Sequence, residues 1–114
     1  MRNVTVAAIQ MSIPETPEKS VEKAEKLVRK AAAEGANVIL LPELFENWYF
    51  CQERRYDSYK LALPLEENPA VRRFQTVAKE LSVVLPISFY EQDGNVLYNS
   101  VAMIDADGSV MGVY

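Results

Sequence analysis

Val4-Thr5-Val6-Ala7-Ala8-Ile9 is apolar at nearly every position, the pattern of a strand covered on both faces, as in parallel sheets flanked by helices. The rhythm then changes. Thr16-Pro17 offers an N-cap followed by proline at the first helical position, where its missing N–H costs nothing. Val21, Ala24, Val28 and Ala31 follow at helical spacing, widened by Leu27 and Ala32, and predict one buried helix face. Glu22–Lys26 and Glu25–Arg29 fall four apart on the side expected to face water. Gly35 is placed to close the helix with a left-handed cap. Val38-Ile39-Leu40-Leu41, stopped by Pro42, completes a strand–helix–strand unit.

The stretch from Glu43 to Leu65 has no period and is expected to be irregular. Asn68-Pro69 repeats the cap-plus-proline signal, and Ala70, Phe74, Val77, Ala78 and Leu81 form a second helical stripe. Val83-Val84-Leu85 and Ile87-Ser88-Phe89 predict a third strand, with Pro86 marking a bulge or an edge. Asp93-Gly94 lies in a turn signal, Leu97 to Ile104 returns as a fourth strand, and Asp107-Gly108 turns the chain into Val110-Met111-Gly112-Val113-Tyr114. The whole reads as an α/β chain. It stops inside an apolar, strand-like run, whereas domain ends usually lie in exposed polar sequence. That predicts a domain continuing past Tyr114; a docked terminal strand is the alternative.

Composition narrows the function. A formal net charge of -4 repels phosphates and leaves no footprint for nucleic acid, and Arg54-Arg55 and Arg72-Arg73 read as solvated faces. No apolar run approaches the ~20 residues of a membrane helix, and Val4–Ile9 is too short for a secretory segment. A single cysteine fits a reducing compartment, so the cytoplasm is the expected location. The chain has no histidine, which removes Ser-His-Asp triads, Cys-His pairs and imidazole bases from these residues. Chemistry here must use carboxylates, amines, hydroxyls or the lone thiol.

Glu43 is the first candidate, directly after a predicted buried strand in Leu41-Pro42-Glu43-Leu44-Phe45. Ligand sites of open α/β sheets lie outside the carboxyl ends of strands. A carboxylate partly desolvated among Leu41, Leu44 and Phe45 would become a better proton acceptor near neutral pH. A surface glutamate opening a helical turn is the competing reading. The aromatic group Phe45, Trp48, Tyr49, Phe50 and Tyr56 follows at once, and either lines a pocket for an amine or fills core. Cys51 lies near Arg54 and Arg55, but reads better as a small buried filler than as a nucleophile. Asp105-Ala106-Asp107-Gly108 begins like a calcium loop but has Val110 where that loop needs glycine, so a β-turn is expected.

Taken in order, Val6-Ala7-Ala8-Ile9-Gln10-Met11, the helix ending at Gly35-Ala36, and Val38-Ile39-Leu40-Leu41-Pro42-Glu43-Leu44 resemble the nitrilase, or carbon–nitrogen hydrolase, superfamily. Tyr98-Asn99-Ser100-Val101-Ala102 and the run from Asp105 to Tyr114 look like that family's later strand–turn–strand. The resemblance implies the N-terminal part of a four-layer α-β-β-α sandwich, with residues 1–114 the front portion of a single hydrolase domain truncated at its C-terminal end. It implies a Glu-Lys-Cys catalytic trio in which Glu43 is the glutamate. The lysine would follow soon after Val113-Tyr114 and the cysteine well beyond, so Cys51 does not match the nucleophile. A chain with one group of three is expected to be inactive alone.

Phe45 to Gln52 and Val84 to Tyr90 look most like family members that act on a carbamoyl-amine substrate. Tyr49, six residues past the base, is then expected to line the substrate pocket. The resemblance calls for a small-molecule amide or carbamoyl-amine substrate, no metal or organic cofactor, and a homo-oligomer when complete. A non-catalytic α/β binding module complete at 114 residues is the rival reading.

Overall fold

The structure, a computed structural model, describes residues 1–48, 50–52 and 56–114. Its elements are β1 (Val6–Ala8), α1 (Pro17–Ala33), β2 (Val38–Leu40), three short 3-10 segments between Phe50 and Glu67, α2 (Pro69–Leu81), β3 (Leu85–Asp93), β4 (Val96–Ile104) and β5 (Val110–Val113).

Both helices begin where their caps place them. Thr16 Oγ1 accepts from the Lys19 N–H at 3.3 Å, and Asn68 Oδ1 accepts from the Val71 N–H at 2.9 Å. Each cap satisfies a backbone donor that the first turn leaves without a partner. α1 closes through Gly35, at φ 99°: its N–H donates to the Ala32 carbonyl and the next N–H, of Ala36, reaches back to Ala31. This paired closure needs a left-handed residue, which glycine supplies without steric cost.

β1 and β2 pair in parallel, Val6 opposite Val38, while β3, β4 and β5 form an antiparallel meander. The two pieces join edge to edge just before β3. The Val84 N–H donates to the Asn37 carbonyl at 2.9 Å, and the Ile39 N–H donates to the Val84 carbonyl at 3.1 Å. Further along, Leu63 bridges the same edge of β3, through Tyr90 and Gln92. Val84, Tyr90 and Gln92 thus turn their backbone groups away from β4. Pro86 shares their parity, so its missing donor falls on that edge and not in the ladder with β4. The edge alternative holds at Pro86. The bulge lies elsewhere, between Met103 and Ile104 where β4 meets β5.

Both helices cover one face of this mixed sheet. Ala24 and Val28 of α1 and Phe74, Val77 and Ala78 of α2 pack over Ile39, Leu85, Ile87, Phe89, Ala102 and Ile104, all buried. Each large apolar side chain so buried contributes roughly 1.5–3 kcal/mol. The helices are also tied across their outer surface. Glu25 binds Arg29 within α1 and Arg73 on α2, and Arg29 reaches Glu80. Glu25 therefore serves an interhelical network, where a solvated pair within one helix was expected. Glu22 and Lys26 stay exposed.

The other face of the sheet is bare along β1 and β2. Val6 is 72% exposed and Leu40 is 50% exposed. This corrects the expectation that residues 4–9 form a strand covered on both faces. The apolar run fits double coverage, but these residues supply cover on one side only. Among the described residues no helix is long and apolar enough to cross a membrane.

Candidate active site

β2 ends at Leu40, and Leu41 still points into the core. Pro42 cannot continue the ladder, and the chain enters a turn through Glu43, Leu44, Phe45 and Glu46. Leu44 has φ 50°, a left-handed conformation that a residue with a branched side chain rarely adopts. Such a conformation costs of order 1–3 kcal/mol and persists only where surroundings enforce it.

The surroundings here are specific. Leu44 is buried, and its N–H donates to Ser88 Oγ on β3 at 2.8 Å. The Phe45 carbonyl accepts from the hydroxyl of Ser20 on α1, a buried bond. The Phe45 ring sits edge-on to Phe74 of α2, centroids 5.7 Å apart. Glu46 Oε1 accepts from the side-chain amide of Asn68, the α2 cap, at 2.8 Å. Glu43 Oε1 accepts from the side-chain amide of Asn99 on β4. Four consecutive residues are thus held by four different elements or their caps.

The register shows which face Glu43 serves. Tyr90 pairs with Asn99 and Ser88 with Val101, so these four lie on the face opposite buried Ile87 and Phe89. From the carboxyl end of β2, Glu43 reaches Asn99 on that face. It is exposed. The expected partial desolvation of Glu43 among Leu41, Leu44 and Phe45 is therefore corrected. Leu41 and Phe45 turn into the helix-covered core and Leu44 is buried outside that cluster, while Glu43 stays exposed.

The partly buried carboxylate of this turn is Glu46. Burial pushes its carboxyl above the usual carboxylate range, and the hydrogen bond from Asn68 opposes part of that rise. Glu46 lines the groove between α1 and α2 together with Val21, Glu25 and Arg73. That groove is on the helical side, away from Glu43.

The aromatic group divides. Phe45 is core, Phe50 is buried against Tyr90 with ring centroids 4.8 Å apart, and Trp48 is 55% exposed. Tyr49 lies outside the described residues, as does the Arg54-Arg55 pair. Cys51 is exposed, which corrects the reading of it as a buried filler; a 3-10 segment carries it on the surface. The Asp105–Ser109 stretch is a turn, with the Gly108 N–H bonded to the Asp105 carbonyl at 2.9 Å and the Asp105 N–H to the Ser109 carbonyl at 2.8 Å. A Cβ on Gly108 would meet the Gln75 carbonyl oxygen at 2.7 Å, so only glycine fits this close approach to α2. Among the described residues no group of three or more His, Cys, Asp or Glu is arranged to hold a metal.

Reading the sequence did not find Ser20, Ser88 or Asn99, nor the bond from Asn68 to Glu46. A signal was present for three of them. Ser20 sits four residues before Ala24 on the apolar stripe, Ser88 interrupts an apolar strand, and Asn99 is a poor strand former in mid-strand.

Residues 5–114 match the family described as carbon–nitrogen hydrolase. The chain is 50% identical over 111 residues to an N-carbamoylputrescine amidase of Oryza sativa subsp. japonica, covering 97% of this chain and 37% of the rice protein. It is 44% identical over 114 residues to a citrullinase of Francisella tularensis subsp. tularensis, covering 100% of this chain and 40% of that protein. A carbon–nitrogen hydrolase from Helicobacter pylori G27 superposes with a TM-score of 0.85 at 26% identity, over 97% of this chain and 38% of that one. The chain spans well under half the length of these relatives.

Proposed function

The chain belongs to the carbon–nitrogen hydrolase family, and on that premise we propose that the full-length protein is a thiol amidohydrolase cleaving a non-peptide C–N bond. The mixed sheet with its helices is the α/β architecture of the nitrilase-like four-layer α-β-β-α sandwich over the portion this chain spans. We read residues 1–114 as the N-terminal portion of one such domain. The substrate proposed is N-carbamoylputrescine, hydrolysed to putrescine, carbon dioxide and ammonia. The observation that carries this choice is the 50% identity over 111 residues to the rice amidase.

In the proposed mechanism a cysteine thiolate attacks the carbamoyl carbon and a lysine ammonium stabilises the tetrahedral oxyanion. Both groups come from the family resemblance and lie beyond Tyr114. Glu43 takes the thiol proton, passes it to the departing nitrogen, and then activates the hydrolytic water. Its place at the carboxyl end of β2, tethered on the bare face, supports that role. Tyr49 is proposed to line the pocket and place the amine end of the substrate. The complete protein is proposed to be a cytoplasmic homo-oligomer that needs no cofactor.

Carbamoyl-amino-acid hydrolysis is the second reading, favoured by the 44% identity to a citrullinase. Values of kcat/KM for N-carbamoylputrescine and citrulline separate the two.

The test of Glu43 is Glu43→Gln in the full-length enzyme. General-base catalysis contributes roughly 10²–10⁴-fold, so kcat falls at least about 100-fold while Tm stays near that of the parent. Glu43→Asp recovers little, because proton transfer depends on reach. Glu66→Gln, on an exposed surface, serves as the folded control. Retention of more than about a tenth of parent kcat, above the ~10²-fold floor, sinks the assignment.

A further inference from the structure

An exposed glutamate has several rotatable bonds, and fixing such a side chain costs up to roughly 1.5–2 kcal/mol. A general base must nevertheless hold its oxygen within hydrogen-bond reach of the proton it moves. Glu43 is exposed, so burial does not fix its carboxylate. Among the described residues, Glu43 Oε1 accepts a hydrogen bond from the side-chain amide of Asn99. Asn99 is itself well placed to be rigid: it sits inside β4, paired with Tyr90 of β3, in a ladder that runs in register from Leu85–Ile104 to Asp93–Val96.

We infer that Asn99 is a positioning residue for this reaction, which clamps one oxygen of Glu43 and leaves the other, Oε2, to carry the proton. The inference rests on the reading of Glu43 as the base. The chemistry selects the amide orientation, since a reversed amide would set its oxygen against the carboxylate. A hydrogen bond to an ionised carboxylate is stronger and more directional than a neutral one. Asparagine is also depleted in strands, so its place within β4 is accounted for by what its side chain holds. Ser88 supports the same turn one step back, by binding the Leu44 N–H.

The test uses the full-length enzyme and N-carbamoylputrescine, with kcat and KM measured for Asn99→Ala and Asn99→Asp. Losing a hydrogen bond to a charged group predicts a fall in kcat of roughly 10- to 100-fold, with KM within about twofold. Asn99→Asp keeps the shape but replaces the donor by an acceptor, so a clamp predicts activity no higher than that of Asn99→Ala. In a Glu43→Gln background, Asn99→Ala costs little more, because coupled residues are not additive.

Near-parent kcat in Asn99→Asp, a change confined to KM, or full additivity with Glu43→Gln overturns the clamp. An active Glu43→Gln single variant overturns the base reading instead, so the two failures are told apart. If neither Asn99 variant folds, the side-chain amide resonance of Asn99 decides. It must move when Glu43 is replaced by Gln, and an unmoved resonance overturns the inference.

Discussion

The two faces of the sheet differ more than their strand sequences suggest. On the helical face, Leu85, Ile87, Phe89, Ala102 and Ile104 are essentially inaccessible. On the other, Val6 and Leu40 are open to solvent, as are Glu43 and Asn99. One face carries stability and the other carries the polar groups proposed for chemistry. The difference teaches that periodicity reports what a strand is built to bury. It does not report whether the cover lies in the same stretch of chain.

The sharpest way to break this division is from the helical side. Phe74 meets Phe45 at the base of the turn, and Phe74→Ala is expected to cost about 3–5 kcal/mol. Denaturant unfolding measures it, and a loss under about 1 kcal/mol, below that range, would show that the helical layer does not anchor the turn.

A second test uses two glutamates of the helical groove that shift in opposite directions. Glu46 is raised chiefly by burial, so the folded state holds its proton more tightly than the unfolded chain. Its contribution is present at low pH and is lost as pH rises through the raised value. Glu25 is lowered, chiefly by its hydrogen bond from Arg73. Its contribution is present above the ordinary carboxylate range and is lost as pH falls through the lowered value. Glu46→Gln is therefore expected to raise Tm near pH 7, with the gain shrinking toward pH 4. Glu25→Gln lowers Tm near pH 7, and that loss shrinks on acidification. Thermal melts across this range check both signs.

The smallest effect belongs to the bare face. Leu40→Ala in the 114-residue chain is expected to change stability by no more than about 0.5 kcal/mol, as for a surface site. In a full-length protein that covers this face, the same change costs roughly 2–5 kcal/mol. Equal effects in the two proteins would mean the face stays open.

Helix starts were legible because a cap and a proline are local signals: Thr16-Pro17 and Asn68-Pro69 mark the first residues of α1 and α2. The β3–β4 hairpin was legible for the same reason, with Gly94 at φ 60° opening its two-residue loop. Glu43 was legible as a position, since a strand ended just before it. Its exposure was not, because that depends on how the turn packs against Ser88 and Asn99, partners distant in sequence. The choice between bulge and edge at Pro86 depended on which side of β3 its backbone faces, the side on which Val84, Tyr90 and Gln92 bond Asn37 and Leu63. Neither the Glu25–Arg73 pair nor the Asn99–Glu43 bond leaves a periodic trace, because partners 48 and 56 residues apart are chosen by the folded geometry.

The tethers of the turn span 25, 44, 22 and 56 residues of sequence, from Ser20, Ser88, Asn68 and Asn99. Loops of that length must close before any of these bonds can form. No single helix or hairpin can shape the turn in advance, so the turn waits on contacts between distant elements. It is also among the first features lost when any one of its anchoring elements opens. The Glu43 carboxylate meets Asn99 only when parts of the chain 56 residues apart have come together, which makes its geometry a report on the integrity of the whole.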